Sequence, residues 1–168
     1  RTRWVRSSVL FAAAMGLVCP QPGQRIVELY CGAGNLTLSL AAGGADVVAV
    51  EVDAGGIEAA EANMARLLPG QAARHVAGNV LTLLPRLAAQ GPWDVVVADP
   101  PRTGLGPALD GVVALEAESV VMVSCDPATA ARDVAGLVAA GYRVGECVLV
   151  DMFPQTWHME LVIGLSCG

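Results

Sequence analysis

The sequence contains no lysine, so all ten of its basic residues are arginines. Sixteen acidic residues outnumber them, and the formal net charge at pH 7 is −6. Affinity for nucleic-acid phosphates comes largely from basic side chains, so bulk electrostatics do not favour nucleic-acid binding by this chain. If the substrate is RNA, we expect another domain to supply much of the affinity.

Long hydrophobic runs are also missing. Although 54% of the residues are hydrophobic, no run reaches the roughly 18 to 20 residues that a membrane span needs. Residues 1–18 resemble a secretory signal only superficially. High apolarity without a span is typical of parallel strands covered by helices on both faces. We therefore expect a soluble, cytoplasmic protein with no membrane partner.

Paired cysteines are absent as well. The five cysteines, Cys19, Cys31, Cys125, Cys147 and Cys167, are scattered and odd in number. Their spacing fits neither a disulfide framework nor a zinc site, and the four-cysteine pattern of an iron-sulfur cluster is not there. The sequence therefore predicts a reduced compartment and no metal.

Apolar β-branched runs alternate with helical segments along the chain, and the last two runs have the pattern of a hairpin. This order predicts a doubly wound α/β sheet. Residues 1–18 are predicted to be helical, and the following prolines and glycine break the chain. One face of that helix is predicted to carry Val5, Val9, Ala12, Ala13 and Leu17. We expect a helical segment and linker over 1–22 and a catalytic domain over 23–168.

A glycine turn follows the first predicted strand, in residues 31–35 (CGAGN). Glycines there allow close approach of the backbone to a ligand, but the third glycine of the dinucleotide fingerprint is missing. Glu51 ends the second strand about 20 residues after the first glycine, where a carboxylate binds ribose hydroxyls. Together these features predict an adenosine-containing cofactor. Asp53 is predicted to cap the next helix.

A proline turn follows the fourth predicted strand, in residues 99–104 (DPPRTG). Tandem prolines restrict the backbone, so we expect Asp99 to be held in the crevice at the end of the sheet. Arg102 is equally compatible with a functional role and with an ordinary surface charge.

Cys125 directly follows an apolar strand, and Pro127 begins the next helix with Asp126 as its predicted N-cap. Unpaired amides and the positive dipole end of a helix favour a thiolate there. Glu160 begins an otherwise apolar strand, where a carboxylate is costly unless it has a partner or faces a site. A lone histidine such as His158 is more often structural than catalytic.

Three stretches carry a family resemblance: residues 28–35, residues 99–104, and residues 124–127 with their sequel 153–160. They resemble the catalytic domain of the S-adenosylmethionine-dependent RNA (uracil-5-)-methyltransferases, which make 5-methyluridine in tRNA and 23S rRNA. The resemblance runs from about Gln24 to Leu165. It implies a class I methyltransferase fold, a Rossmann-like sheet in the order 3-2-1-4-5-7-6 with the last strand antiparallel.

The resemblance also implies roles for individual residues. S-adenosylmethionine would be lined by Tyr30, Gly32, Gly34 and Asn35. Glu51 would hold its ribose, Asn79 would lie near the adenine, and Asp99 would stand where the methionine end meets the uracil. Cys125 matches the nucleophile and Glu160 the general base. The expected reaction is methylation of carbon 5 of a uridine, with 23S rRNA favoured as the RNA, through a covalent cysteine-uracil adduct.

The sequence departs from the family pattern before the catalytic domain. Family members usually carry an N-terminal RNA-binding domain of the OB type, many add an iron-sulfur region, and a glutamine-containing segment precedes the first strand. None of these is in the sequence, which does not begin with methionine. We therefore expect a fragment or truncated relative that needs an RNA-binding domain from elsewhere.

Four alternatives remain open at this point. An RNA cytosine-5 methyltransferase would place a further cysteine in the 99–104 turn, and an amino-methylating enzyme would place an aromatic residue where Arg102 stands. A non-catalytic remnant that binds cofactor or RNA is compatible with the missing segments. An NAD-dependent dehydrogenase fits less well, since the third fingerprint glycine is lacking.

Overall fold

The computed structural model describes residues 2–71, 73–151 and 159–168. The helices are α1 (Thr2–Val18), α2 (Asn35–Ala42), α3 (Ala54–Leu67), α4 (Val80–Ala88), α5 (Leu109–Val113) and α6 (Pro127–Ala139). The strands are β1 (Arg25–Leu29), β2 (Asp46–Glu51), β3 (Arg74–Ala77), β4 (Val95–Ala98), β5 (Ser119–Ser124), β6 (Tyr142–Val150) and β7 (Glu160–Cys167).

The described strands form one seven-stranded sheet in the order β3-β2-β1-β4-β5-β7-β6. Strands β1 to β5 pair in parallel, whereas β7 is antiparallel to both β5 and β6. The predicted order and the antiparallel last strand are confirmed. Because the strand order reverses between β1 and β4, the crevice for a ligand lies at the carboxyl ends of these two strands.

The central strands are buried on both faces. Along β4, Val96 and Ala98 belong to one hydrophobic cluster, while Val95 and Val97 belong to the cluster on the opposite face. Side chains alternate between the two faces of a strand, so a continuous valine run supplies both clusters. Because both faces of these strands are buried, their carboxyl ends are held in place, and so is the crevice that those ends form.

The N-terminal helix α1 packs against β5, β6 and β7. It buries Leu10, Ala14 and Val18, while Val9 is 52% exposed. The predicted buried face was therefore wrong, because the buried residues lie about one position after the predicted ones. The side chain of Val5 lies outside the described part of the structure. Small apolar residues lie all around α1, so the periodicity could not select the buried face. The division into 1–22 and 23–168 stays a prediction.

The sequence reading missed two short elements between β4 and β5. A 3-10 turn over Gly106–Ala108 leads into α5, and Ala108 and Val112 are buried. A five-residue helix is too short to display a helical period, which explains the omission. None of the helices in the described part of the chain has the length and apolarity of a membrane span.

Candidate active site

Two cavities open at the carboxyl ends of β1, β2 and β4, with Tyr30 between them. The inner cavity is lined by Phe11, Glu28, Tyr30, Gly32, Asn35 and Asp99, among others. The outer cavity is lined by Tyr30, Val52, Asn79, Leu81, Gly104 and Leu105, among others. Most of the residues predicted to line the cofactor thus lie around two adjoining spaces. Tyr30 has a φ of 65°, a conformation that is uncommon for a tyrosine and frequent at functional sites.

The glycine turn between β1 and α2 depends on both of its glycines. Gly32 and Gly34 have φ values of 52° and 77°. A Cβ on Gly34 would lie 2.8 Å from the Cβ of Ala60 on α3, so a larger residue would push α2 and α3 apart. No side chain caps the start of α2. The turn therefore brings bare backbone to the inner cavity, which suits a closely bound ligand.

Glu51 at the end of β2 holds the glycine turn in place. Its Oε2 accepts a hydrogen bond from the Gly32 amide at 3.0 Å, and its Oε1 accepts from the amides of Val52 and Asp53 at 2.8 and 3.0 Å. A carboxylate has about four acceptor positions, so these bonds leave room for a further donor. The predicted role of Glu51 at a ribose stays a prediction.

The outer cavity has apolar walls that the sequence reading missed. Val52 and Leu81 are 65% and 45% exposed, which is unusual for large hydrophobic side chains, and both line this cavity. Asn79 lies there too, where its Oδ1 caps α4 by accepting from the Leu81 amide at 2.9 Å. The sequence offered one signal for these walls, the large apolar residue Val52 directly after the end of β2. Such a space suits a flat, largely apolar ring.

Glu28 is a second feature that the sequence reading did not assign. It lies within β1, is 2% exposed, and accepts a hydrogen bond from the Thr37 hydroxyl at 2.5 Å. Burial raises the pKa of Glu28 to about 8; the Thr37 bond opposes the shift and the charge of Asp99 adds to it. The sequence did carry a signal for Glu28, namely a carboxylate within an apolar strand. Burying a carboxylate is costly, which is the argument that identified Glu160.

Glu160 lies within electrostatic range of both Asp99 and Arg102. Burial, and then the charge of Glu160, raise the pKa of Asp99 to about 6. Burial also raises the pKa of Glu160, and Arg102 opposes that shift. The proline turn after β4 and the start of β7 therefore lie close together, and the roles predicted for Asp99 and Glu160 stay predictions.

The β5–β7 pairing places the candidate nucleophile and base at the same end of two neighbouring strands. Ser124 pairs with Leu161 across the two antiparallel strands. The half-buried Cys125 follows Ser124 and Glu160 precedes Leu161, so both residues lie at this end of the strand pair. His158 lies outside the described residues, as do residues 153–157 of the motif.

The start of α6 differs from the expectation in one respect. Asp126 is the N-cap, as predicted, and its Oδ1 accepts from the amides of Ala128 and Thr129 at 3.0 and 2.9 Å. The two amides that were expected to be unpaired are therefore occupied by a carboxylate. The expectation of open amides beside Cys125 was wrong here, because the cap satisfies them first.

Cys31 provides a test of which thiols in this chain react. Burial, and then the charges of Glu28 and Glu51, raise the pKa of Cys31 from an ordinary 9.0 to about 12. A rise in pKa from 9.0 to about 12 lowers the thiolate fraction at pH 8 about 1,000-fold. Because the thiolate is the reactive form, we expect iodoacetamide to alkylate Cys31 roughly 1,000-fold more slowly than the exposed Cys147. Peptide mass spectrometry over time gives both rates in one sample. Equal rates at the two cysteines would contradict this electrostatic picture.

Comparisons with known proteins show similarity to RNA (uracil-5-)-methyltransferases. The sequence model of the tRNA (uracil-5-)-methyltransferase family matches residues 13–69 and 90–167. The 23S rRNA (uracil(1939)-C(5))-methyltransferase RlmD of Pseudomonas entomophila is 36% identical over 96% of this chain. The protein of the same name from Thiobacillus denitrificans is 42% identical over 91% of it. The chain spans 36% of the length of each of these two relatives.

Solved structures give the same assignment of the fold. The tRNA (uracil-54, C5)-methyltransferase of Pyrococcus abyssi, solved with S-adenosyl-L-homocysteine, has a TM-score of 0.78 and 32% identity, covering 93% of this chain and 37% of that one. Magnesium protoporphyrin IX methyltransferase of Synechocystis, with bound SAM, has a TM-score of 0.71 at 16% identity, covering 99% of this chain and 79% of that one, and shows the fold alone. Because the family model matches most of the sequence, the chain belongs to the tRNA (uracil-5-)-methyltransferase family.

Proposed function

We propose that this chain is the catalytic part of an enzyme that transfers a methyl group from S-adenosylmethionine to carbon 5 of a uridine in RNA. The observation that carries the proposal is the placement of Cys125 and Glu160 at one end of the β5–β7 pair, while Asp99 lines the inner cavity and interacts electrostatically with Glu160. The names of the relatives specify uracil carbon 5 in 23S rRNA or tRNA. We favour 23S rRNA as the substrate on that basis.

The chain's residues fit this cofactor. The apolar outer cavity, with Val52, Leu81 and Asn79, suits the adenine, and Glu51 has acceptor capacity for the ribose hydroxyls. The inner cavity combines the Gly32 turn and Asn35 with two carboxyl groups of raised pKa, and a positively charged ligand would favour their ionised forms. When bound, S-adenosylmethionine supplies an activated methyl group on a sulfonium.

Cys125 has the role that uracil chemistry requires. Carbon 5 of uracil is a weak nucleophile, so the Cys125 thiolate adds to carbon 6 and shifts electron density onto carbon 5 as an enolate. The sulfur–carbon bond formed here holds the base while carbon 5 receives the methyl group. A uracil in structured RNA has to leave its stack to reach the thiol.

Glu160 completes the reaction as the general base. After methylation carbon 5 still carries its proton, which the Glu160 carboxylate removes. The electron pair of that bond restores the ring double bond and expels Cys125 as the thiolate. Arg102 favours the ionised, proton-accepting form of Glu160. Asp99 stands between the inner cavity and Glu160, where it would position the uracil next to the methyl donor.

The test uses a 5-fluorouridine RNA hairpin, incubated with the protein and S-adenosylmethionine and followed by intact mass. Fluorine at carbon 5 cannot leave as a proton, so we expect a stable adduct of protein with methylated RNA. Since the net charge of −6 disfavours RNA binding, the RNA is supplied at high concentration and low salt. A chain that binds the cofactor but forms no adduct would contradict catalysis by this chain and favour a binding remnant.

A further inference from the structure

Residues 101–105, which follow Pro100, form one wall of the outer cavity. We call this segment the cavity wall; Pro101, Thr103, Gly104 and Leu105 all line the space. It belongs to no strand, and its internal hydrogen bond joins the Gly104 amide to the Pro101 carbonyl at 2.8 Å. Such a segment is positioned by packing and by bonds to other elements: Leu105 is buried in the core, and the backbone polar groups need partners elsewhere.

Three side chains of α6 supply those bonds. The Thr129 hydroxyl donates to the Arg102 carbonyl at 3.1 Å, and Nη2 of Arg132 donates to the Thr103 carbonyl at 2.7 Å. The Leu105 amide donates to Oδ2 of Asp133 at 2.6 Å. Three of the wall's backbone polar groups therefore bond to one helix, and that helix begins two residues after Cys125.

Arg132 and Asp133 also bond to each other. Nε and Nη2 of Arg132 donate to Oδ1 of Asp133 at 3.0 and 2.7 Å, while Asp133 is 1% exposed and Arg132 53%. A Cβ on Gly104 would come within 2.7 Å of Nη2 and closer still to the carboxylate, so the wall is pressed against the pair. Asp133 also acts electrostatically on Tyr30, across the outer cavity from the wall. A buried carboxylate at this place is retained only with such bonds.

We propose that Asp133 and Arg132 are positioning residues that hold the cavity wall against α6. They thereby fix the position of the outer cavity, where the cofactor is proposed to bind, relative to the turn that carries Cys125. Methyl transfer needs the donor, the uracil and the thiol in alignment, and a misplacement of about 1 Å can reduce the rate about 100-fold. The effect of the pair on catalysis rests on the proposed function, whereas its effect on the position of the cavity wall does not.

Two variants test the pair. Asp133→Asn keeps the size of the side chain but presents a donor to Arg132, whereas Arg132→Gln, at a position that is 53% exposed, removes the charged donor to the Thr103 carbonyl and to Asp133. Arg86→Gln, at an exposed position on α4, is the matched control. Hydrogen exchange of the Leu105 amide reports on the wall, calorimetry gives the dissociation constant for S-adenosylmethionine, and adduct formation with 5-fluorouridine RNA is timed at saturating cofactor.

For both variants we expect about tenfold faster exchange at Leu105 and about fivefold weaker cofactor binding, because an opened wall costs local stability. At saturating cofactor the adduct should form about tenfold more slowly, which a residue that only stabilises the fold would not cause. Exchange unchanged within about twofold overturns the inference, as does faster exchange with unchanged cofactor affinity. If the unaltered protein binds cofactor without forming an adduct, the proposed function fails while exchange and affinity still decide the role of the pair.

Discussion

Glu160→Gln is expected to trap ordinary, unfluorinated RNA on the protein. A glutamine cannot accept the carbon 5 proton, so the reaction stops after methylation with the Cys125–carbon 6 bond intact. We expect release of methylated RNA to fall by about 10³-fold or more, with a denaturation-resistant protein–RNA band in its place. Denaturing gels and intact mass measure the adduct, and transfer of labelled methyl measures turnover.

Two further variants make this result specific. Cys125→Ala should abolish both turnover and adduct, since no sulfur is left to add to the ring. Glu146→Gln, at an exposed glutamate of the neighbouring strand β6, should behave like the unaltered protein. Release of methylated RNA from Glu160→Gln at a rate near that of the Glu146 control would exclude Glu160 as the general base.

Glu28→Gln is expected to stabilise the folded protein at alkaline pH and to flatten its stability–pH curve. The folded-state pKa of about 8 lies above the ordinary 4.5, so the folded state holds a proton that the unfolded state has released. The stability that this proton confers is complete below about pH 4.5 and is lost as the pH rises through about 8. For a fully buried group the loss is on the order of 3 to 5 kcal/mol.

Thermal or urea unfolding without cofactor, between pH 5 and pH 9, measures this effect. Glutamine retains an oxygen that can accept from Thr37, so the variant should keep its hydrogen bond and lose the titration. Asp99, with a pKa raised to about 6, leaves a smaller decline in the same direction at lower pH in both proteins. Glu58→Gln, on the exposed side of α3, is the control. An unchanged slope in Glu28→Gln would contradict the buried, protonated state.

The sequence predicted the parts of the fold that local chemistry determines. Valine runs predicted the buried strands, and the caps Asp53 and Asp126 were identified because a short acidic side chain before an apolar period satisfies free amides. The face of α1 was misassigned because both sides of that helix are apolar. The strand order came from the family resemblance and not from periodicity.

The sequence identified individual candidate residues of the site but not their arrangement in space. Motifs identified Asp99, Cys125 and Glu160, whereas their proximity depends on the register of β5 and β7. Glu28 and Asp133 were missed because their meaning lies in burial and in partners distant along the chain. The apolar walls Val52 and Leu81 look like ordinary core residues until their exposure is known.

The reversed direction of β7 changes the kind of support that Glu160, the proposed general base, receives. In a parallel sheet a strand delivers only its last residue to the crevice, and the reactive groups then sit on turns, as Asp99 and Cys125 do. An antiparallel strand delivers its first residue instead, and Glu160 is already paired with Val150 in the backbone ladder. The proposed proton acceptor is therefore anchored to the backbone of the sheet, while Asp99 and Cys125 stand on turns that follow their strands.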